Sequence, residues 1–297
     1  MRRMSDRSPA CTSEPSLRVL DVLICTNLVN YAVAVSGVHP GREWPALILY
    51  EPWRFEARAM PRVAHWAIGI WTLRVLRLLV SLRIVRTLYL PHDRFNWRVG
   101  WCRDHVRRVA YLDDGLDTHR RVPMNFNLDQ VRPAPYYTFD EFVELPAWLN
   151  RFDLRRAGGI TLLAELASRP ALDLGTATHV FVESPGLDVM ALIEYFGLSV
   201  DQALVVRHPV HSKRVSLPVS WRAVEGSSCC VEATLLSTRG LHWYFGETMA
   251  LVFALCAGLG RGHHVFAQLS RAQRDNLVGL PLCQVGPQDL GLYASTV

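Results

Sequence analysis

Ten residues, YLDDGLDTHR from Tyr111 to Arg120, put two adjacent carboxylates and a glycine directly after an apolar run. Packing alone would ask for valine or isoleucine there. Neighbouring acids do chemistry: each raises the other's pKa, and a cleft raises it further, so one of them can accept a proton near neutral pH. Asp113 and Asp114 are therefore candidate acid–base groups, with Gly115 making the turn. Glu183, Ser184 and Pro185 end a second apolar run in the same way, and His208 with Pro209 ends a third. An imidazole so placed can hydrogen-bond a phosphate or hand it a proton. FGET (245–248), followed by MALVFALCAG, reads as a strand, a turn and a helix start. Such ends bind phosphate through free N–H groups when they do not cap themselves. Each motif also has a plainer reading. Asp-Asp-Gly can be a turn and a helix cap, a histidine before proline can be a hydrogen-bonded structural residue, and most helix starts are self-satisfied.

The elements that would position these groups are short β-rich runs bounded by Pro, Gly and Asp. In the first half they are LRVLDVLIC (17–25), PALILYE (45–51), RIVRTLYLP (83–91) and HVRRVAYLDD (105–114). Helical-length stretches separate them, and strand–helix–strand repetition means a parallel sheet. From 133 to 159 the texture changes to PAPYYTFDEFVELPAWLNRFDLRRAGG, rich in proline and poor in periodicity, as expected of a boundary. Alternation resumes with ATHVFVESPG (177–186), DQALVVRHP (201–209), LHWYFGETMALVFALCAG (241–258) and HHVFAQLS (263–270). The expected organisation is an α/β chain with a flexible 1–16, a first domain over 17–150 and a second over 151–297. In open α/β sheets ligands bind outside the carboxyl ends of the strands, where the acidic and His-Pro pairs fall.

The length of 297 residues, half of them hydrophobic, suits two domains with substantial cores. A net charge of +5 arises from 32 basic and 27 acidic residues that are interspersed, which argues against nucleic acid as a partner. Seven scattered cysteines form no CxxC pair or metal-ligand spacing, and they read as reduced thiols of a cytosolic protein. The polar start MRRMSDRSPACTSEPS lacks the apolar stretch of a signal peptide. HWAIGIWTLRVLRLLVSLRIVRTLYL (65–90) is apolar but carries Arg74, Arg77, Arg83 and Arg86, each costing about 2.5–3.5 kcal/mol at the centre of a spanning helix, so it does not span. At 3.6 residues per turn the arginines collect on one flank and Leu73, Leu76 and Leu79 on another. That predicts an amphipathic helix lying on a sheet, or a basic helix resting on an anionic leaflet.

Taken in order, the motifs resemble those of the bacterial sialyltransferases that carry a D/E-D/E-G motif, an HP motif and a downstream Ser/Thr motif. The likeness is to the capsule polysialyltransferases and lipooligosaccharide sialyltransferases. It rests on YLDDGL (111–116), VVRHP (205–209), CCVEATLL (229–236) around Glu232 and YFGETMALVFAL (244–255). VLICTN (22–27), LILYE (47–51) and LYLPHD (88–93) extend it over about 18–270. The chain departs from the family where Glu247 and Thr248 stand in place of paired Ser or Ser-Thr, and its Ser227–Ser228 pair precedes Glu232 instead of following it.

The resemblance implies a GT-B arrangement, two Rossmann-like domains facing across a cleft, and an inverting transfer. Sialic acid or a related nonulosonic acid would pass from its CMP-activated donor to a hydroxyl of a surface glycan or glycolipid. Asp114 would be the general base, with Asp113 tuning or replacing it, and His208 would meet the CMP phosphate. Glu232 would bind the ribose hydroxyls, and Thr248 with the backbone at Gly246 would hold phosphate. Glu183, Ser184 and Pro209 would line the donor side. Lys213, the only lysine, would pair with the donor's anionic groups or stand as a solvated loop charge. Thr26, Asn27 and Gly115 would face the acceptor. An acidic phosphate leaving group requires no divalent metal and no further cofactor, although the acids of DDGLD do not exclude one. The expected location is the cytoplasm, with peripheral contact at the inner membrane face.

Two other readings remain open from the sequence. Asp113, Asp114, His208, His211, His263 and His264 would be the ligands of a metal-dependent hydrolase, against which the adjacent His263 and His264 point to opposite faces of a strand. The arginine helix would alternatively serve a non-catalytic membrane-surface scaffold.

Overall fold

The computed structural model describes residues 20–38, 45–52, 62–94, 97–129, 131–139, 144–157, 171–207, 221–226, 228–255 and 259–296. The first seven strands are β1 (Leu20–Cys25), β2 (Ala46–Tyr50), β3 (Val63–Ala67), β4 (Val85–Leu90), β5 (Val109–Leu112), β6 (Pro135–Phe139) and β7 (Asp153–Ala157). They form one sheet in the order β3-β2-β1-β4-β5-β6-β7, with every neighbouring pair parallel. The second sheet contains β8 (His179–Val182), β9 (Ala203–Arg207), β10 (Ala223–Glu225), β11 (His242–Phe245), β12 (His264–Gln268), β13 (Leu282–Gln284) and β14 (Leu292–Ser295). Its order is β10-β9-β8-β11-β12-β14-β13, parallel up to β12 and closed by an antiparallel β14 and β13. The chain is thus α/β with two mostly parallel sheets.

Central strands such as LDVLIC and ALVVR are continuous apolar runs because both of their faces are covered. Each sheet reverses its strand order at one point, between β1 and β4 and between β8 and β11. Crevices at the carboxyl ends of such strands are where ligands bind in open α/β sheets.

Several expectations are corrected here. The proposed boundary at 150/151 falls one strand short, because β7 pairs along its whole length with β6 and completes the first sheet. The proline-rich 133–159 segment is not a linker but contributes both of those strands; a proline at the first position of β6 costs no interior ladder bond. The predicted helix within 65–90 is confined to Ile70–Ser81, flanked by β3 and β4. Arg83 lies beyond its end, and Arg86 is a strand residue ion-paired with Asp21. The expected flexible 1–16 lies outside the described residues.

The halves share a core. One apolar cluster runs from Leu23, Val29 and Phe139 through Leu116 to Leu251, Val252, Trp243 and Leu277. Two further clusters cover the outer faces of the sheets, one around Leu76, Val99 and Trp148, the other around Phe181, Leu192 and Tyr244. A single 3₁₀ turn, Gly115–His119, packs against the Met249–Phe253 helix and so joins the Asp-Asp-Gly segment to the segment after FGET.

Candidate active site

Asp113 and Asp114 follow β5 directly, at the carboxyl edge of the first sheet. The backbone N–H of Asp113 still donates to Tyr137 O (2.8 Å), so the ladder holds the strand end in place. Gly115 then takes φ +64°, a left-handed conformation that glycine adopts without penalty, and the chain turns into the 3₁₀ segment.

The two aspartates differ in what they hold. Asp113 is fully buried and accepts from Gly115 N–H (2.7 Å), Thr118 Oγ1 (2.8 Å) and Thr138 Oγ1 (2.5 Å). Burial pushes its carboxyl up, and the nearby His119 together with these three donors pulls it back. Asp113 therefore serves the turn itself, the plainer reading of the motif. Asp114 caps nothing. Its Oδ1 accepts from Asn27 Nδ2 at 3.0 Å and Asn30 Nδ2 at 3.5 Å, and its own N–H donates to Thr118 Oγ1. Burial, with Asp117 and Asp113 beside it, raises the Asp114 carboxyl to about 7, against the pull of Asn30 and Asn27. The turn thus fixes a carboxyl that changes charge near neutral pH.

The asparagines come from the helix after β1. Asn27 caps Leu28–Val33 by accepting from Asn30 N–H (2.9 Å), while Asn30 Oδ1 accepts from Thr26 and from Asn27 N–H (3.2 Å). The Thr26 hydroxyl also donates to that oxygen (3.0 Å), which ties it into the cap. Asn30, Thr118, Thr138 and His119 escaped the sequence reading. The i, i+3 spacing of Asn27 and Asn30 was the available signal, since it marks a reciprocal cap.

On the facing half, Ser184 follows β8 and joins two turns: its hydroxyl donates to Val182 O (2.9 Å) and accepts from Gly246 N–H (2.7 Å). A Cβ on Gly246 would lie 2.2 Å from Pro185 O, so this close approach needs glycine. Ser184 thereby clips the two turns together. Glu183 is buried beside it, with its N–H on Val206 O. Thr248 is half-buried and its side chain does not cap the following helix. Glu247 is committed elsewhere: Oε1 pairs with Arg120 of the first half at 2.5 Å, and Oε2 accepts from Gln273 Nε2 (2.8 Å). Glu232 is buried, with Oε2 unpartnered, and burial raises it to about 8, so it is a neutral acid able to donate as well as accept. His208, Pro209, Lys213 and His211 lie outside the described residues, as does Ser227.

A cavity of about 770 Å³ sits at the carboxyl ends of β8 and β12, lined by Gly186, Gln268, Ser270, Arg271 and Arg274, with Arg121 from the first half. Asp114 is not among its walls. Among the described residues no group of three His, Cys, Asp or Glu side chains could hold a metal. His263, a ligand of the hydrolase reading, instead accepts from Leu241 N–H (3.0 Å) and bonds Leu235 O (3.0 Å).

No family model matches the chain, and no curated protein is significantly similar to it. Four solved chains match, among them CobK precorrin-6A reductase, 15% identical over 85% of this chain and 87% of that chain, with a TM-score of 0.29. A likeness that loose carries no argument about chemistry.

Proposed function

We propose that the protein is an inverting glycosyltransferase of GT-B type. It would move a sialic acid or related nonulosonic acid from its CMP-activated donor to a glycan hydroxyl, with Asp114 as the general base. The observation that carries this reading is the Asp114 carboxyl, raised to about 7 and held through one oxygen by Asn27 while Asp113 does the structural work. A base of that pKa is half ionised near neutral pH and takes a hydroxyl proton most effectively there. The second support is that the turn after Asp114 packs against the helix after Thr248, so segments that follow strands of the two sheets come together next to the acid. The walls of the polar cavity at the carboxyl ends of β8 and β12 carry Arg121, Arg271 and Arg274 with Asp275 and Asp289, and its small excess of positive charge supports an anionic donor.

In this mechanism the acceptor hydroxyl gives its proton to Asp114 as its oxygen bonds to the anomeric carbon. The bond from that carbon to the CMP phosphate breaks on the opposite face, and CMP leaves as an anion. The test is CMP release from CMP-sialic acid by the purified full chain over a panel of glycan acceptors. Acceptor-dependent release that falls at least a hundredfold in Asp114→Asn is expected. Release that is absent with every acceptor, or unchanged in that variant, refutes the assignment.

A further inference from the structure

We propose that the outer face of the Ile70–Ser81 helix is a docking surface for an anionic membrane. The inner face of this helix is ordinary: Leu73, Leu76 and Val80 are buried on the first sheet, and one flank packs on the Trp97–His105 helix. The outer face is not. Its exposed positions are Ile70, Trp71, Arg74, Val75, Arg77, Leu78, Ser81 and Leu82, so nearly every place where a surface helix carries a small or acidic polar group holds a large apolar side chain or an arginine. Trp71 is 71% exposed, Leu78 56% and Leu82 58%. Trp66 on the edge strand β3 continues the apolar surface.

Contiguous apolar surface of this kind marks an interaction site, and the charge on this face selects the occupant. From Ala57 to His92 there is no acidic residue, whereas Arg74, Arg77 and Arg83 are exposed on or just beyond the helix. Arg74 lies over the Trp71 ring at 4.7 Å, giving an aromatic body with a cationic rim. That pairing suits the boundary between anionic headgroups and acyl chains, where tryptophan sits and arginine meets phosphate. The helix is too short to cross a bilayer, so it lies in the interface plane. Its first residues follow the carboxyl end of β3, the same edge of the sheet that carries Asp114.

The test is co-sedimentation of the full chain with vesicles of phosphatidylcholine alone and with phosphatidylglycerol added. Binding only to the anionic vesicles is expected, with loss of affinity of about thirtyfold in the double variant Arg74→Gln, Arg83→Gln, at roughly fivefold per surface arginine. The triple variant Trp71→Ser, Leu78→Ser, Leu82→Ser is expected to lose at least tenfold. Its substitutions are all exposed, and the arginine pair provides an independent reading should the triple variant fold poorly. Equal binding to both vesicle types, or none, overturns the proposal. So does a triple variant that turns a dimer into a monomer in sedimentation without changing vesicle binding, because the face is then an interface between copies. Transfer activity does not enter the readout, so the proposal stands or falls apart from the proposed function.

Discussion

With a folded-state pKa of about 7, Asp114 changes charge across the range in which an enzyme works, and this has two measurable consequences of opposite sign. The base must be ionised, so kcat/KM is expected to rise with pH through about 7 and then level, and Asp114→Asn should abolish the rise. Stability moves the other way. Between the ordinary carboxyl value of 3.8 and about 7 the unfolded chain has released this proton while the folded chain retains it, so the contribution of Asp114 to stability falls as pH rises through that window. Asp114→Asn keeps an acceptor for Asn27 and removes the penalty. It should stabilise the protein on the order of 2–4 kcal/mol at pH of about 8, read from urea denaturation. Asp113→Ala should instead destabilise by about 2–4 kcal/mol, because it leaves Gly115 N–H and the Thr118 and Thr138 hydroxyls buried without their acceptor. If the two variants shift stability in the same direction, the division of labour described here is wrong.

At the scale of elements, what was legible in the sequence was local. β1, β2, β4, β5, β8, β9, β11 and β12 all fall within the apolar runs that mark them, because strands that are mostly buried read as largely hydrophobic stretches. β3 escaped because, as an edge strand, VAHWA is mostly exposed and reads as the start of the helix. β7 escaped because DLRRA is charged for the same reason. Leu73 and Leu76 were legible as the helix's inner face, yet periodicity alone named Leu79 where Val80 is the buried residue. Leu76→Ala is expected to cost about 2–5 kcal/mol and Leu78→Ser less than about 0.5 kcal/mol, by chemical denaturation.

Register between distant strands was not legible at all. His179, His242 and His264 open three adjacent parallel strands in register, and their rings stack at centroid distances of 4.5 and 4.8 Å. Burial first, and the neighbouring imidazole second, hold His179 down to about 4 and lower His242 as well. The unfolded chain therefore binds these protons at a higher pH than the folded one, so the histidines' contribution to stability is full above their ordinary value of 6.5 and drains as pH falls below it. The raised Asp114 carboxyl works in the opposite direction over the same window, so the ladder is read by difference: the thermal midpoint of His242→Gln relative to the parent chain should rise as pH falls from about 6.5 to 4. A midpoint difference between the two chains that does not change over this range would show that the ladder carries no acid sensitivity.

For the whole molecule the question is whether two sheets mean two folding units. The fold answers through its interior: Leu116 of the first half and Leu251, Val252 and Leu277 of the second belong to one buried cluster. Around that cluster polar contacts cross between the halves. Arg120 pairs with Glu247, Arg121 N–H donates to Asn276 O (2.7 Å), and Val278 N–H donates to His119 O (2.8 Å). Apolar burial is the larger stabilising quantity, since Arg120 and Glu247 keep some solvent contact, 17% and 14%, and a pair so placed contributes less than a fully desolvated one. The Arg120–Glu247 double-mutant cycle should therefore return a coupling of about 1–2 kcal/mol, and neither single variant should divide the unfolding. Calorimetry of the full chain is expected to give one cooperative transition with equal calorimetric and van't Hoff enthalpies, before and after Glu247→Gln. Two resolved transitions would mean that the cluster does not bind the halves into a unit. The Asp114 turn and the Thr248 segment would then meet only transiently, and the placement that supports the proposed chemistry would go with them.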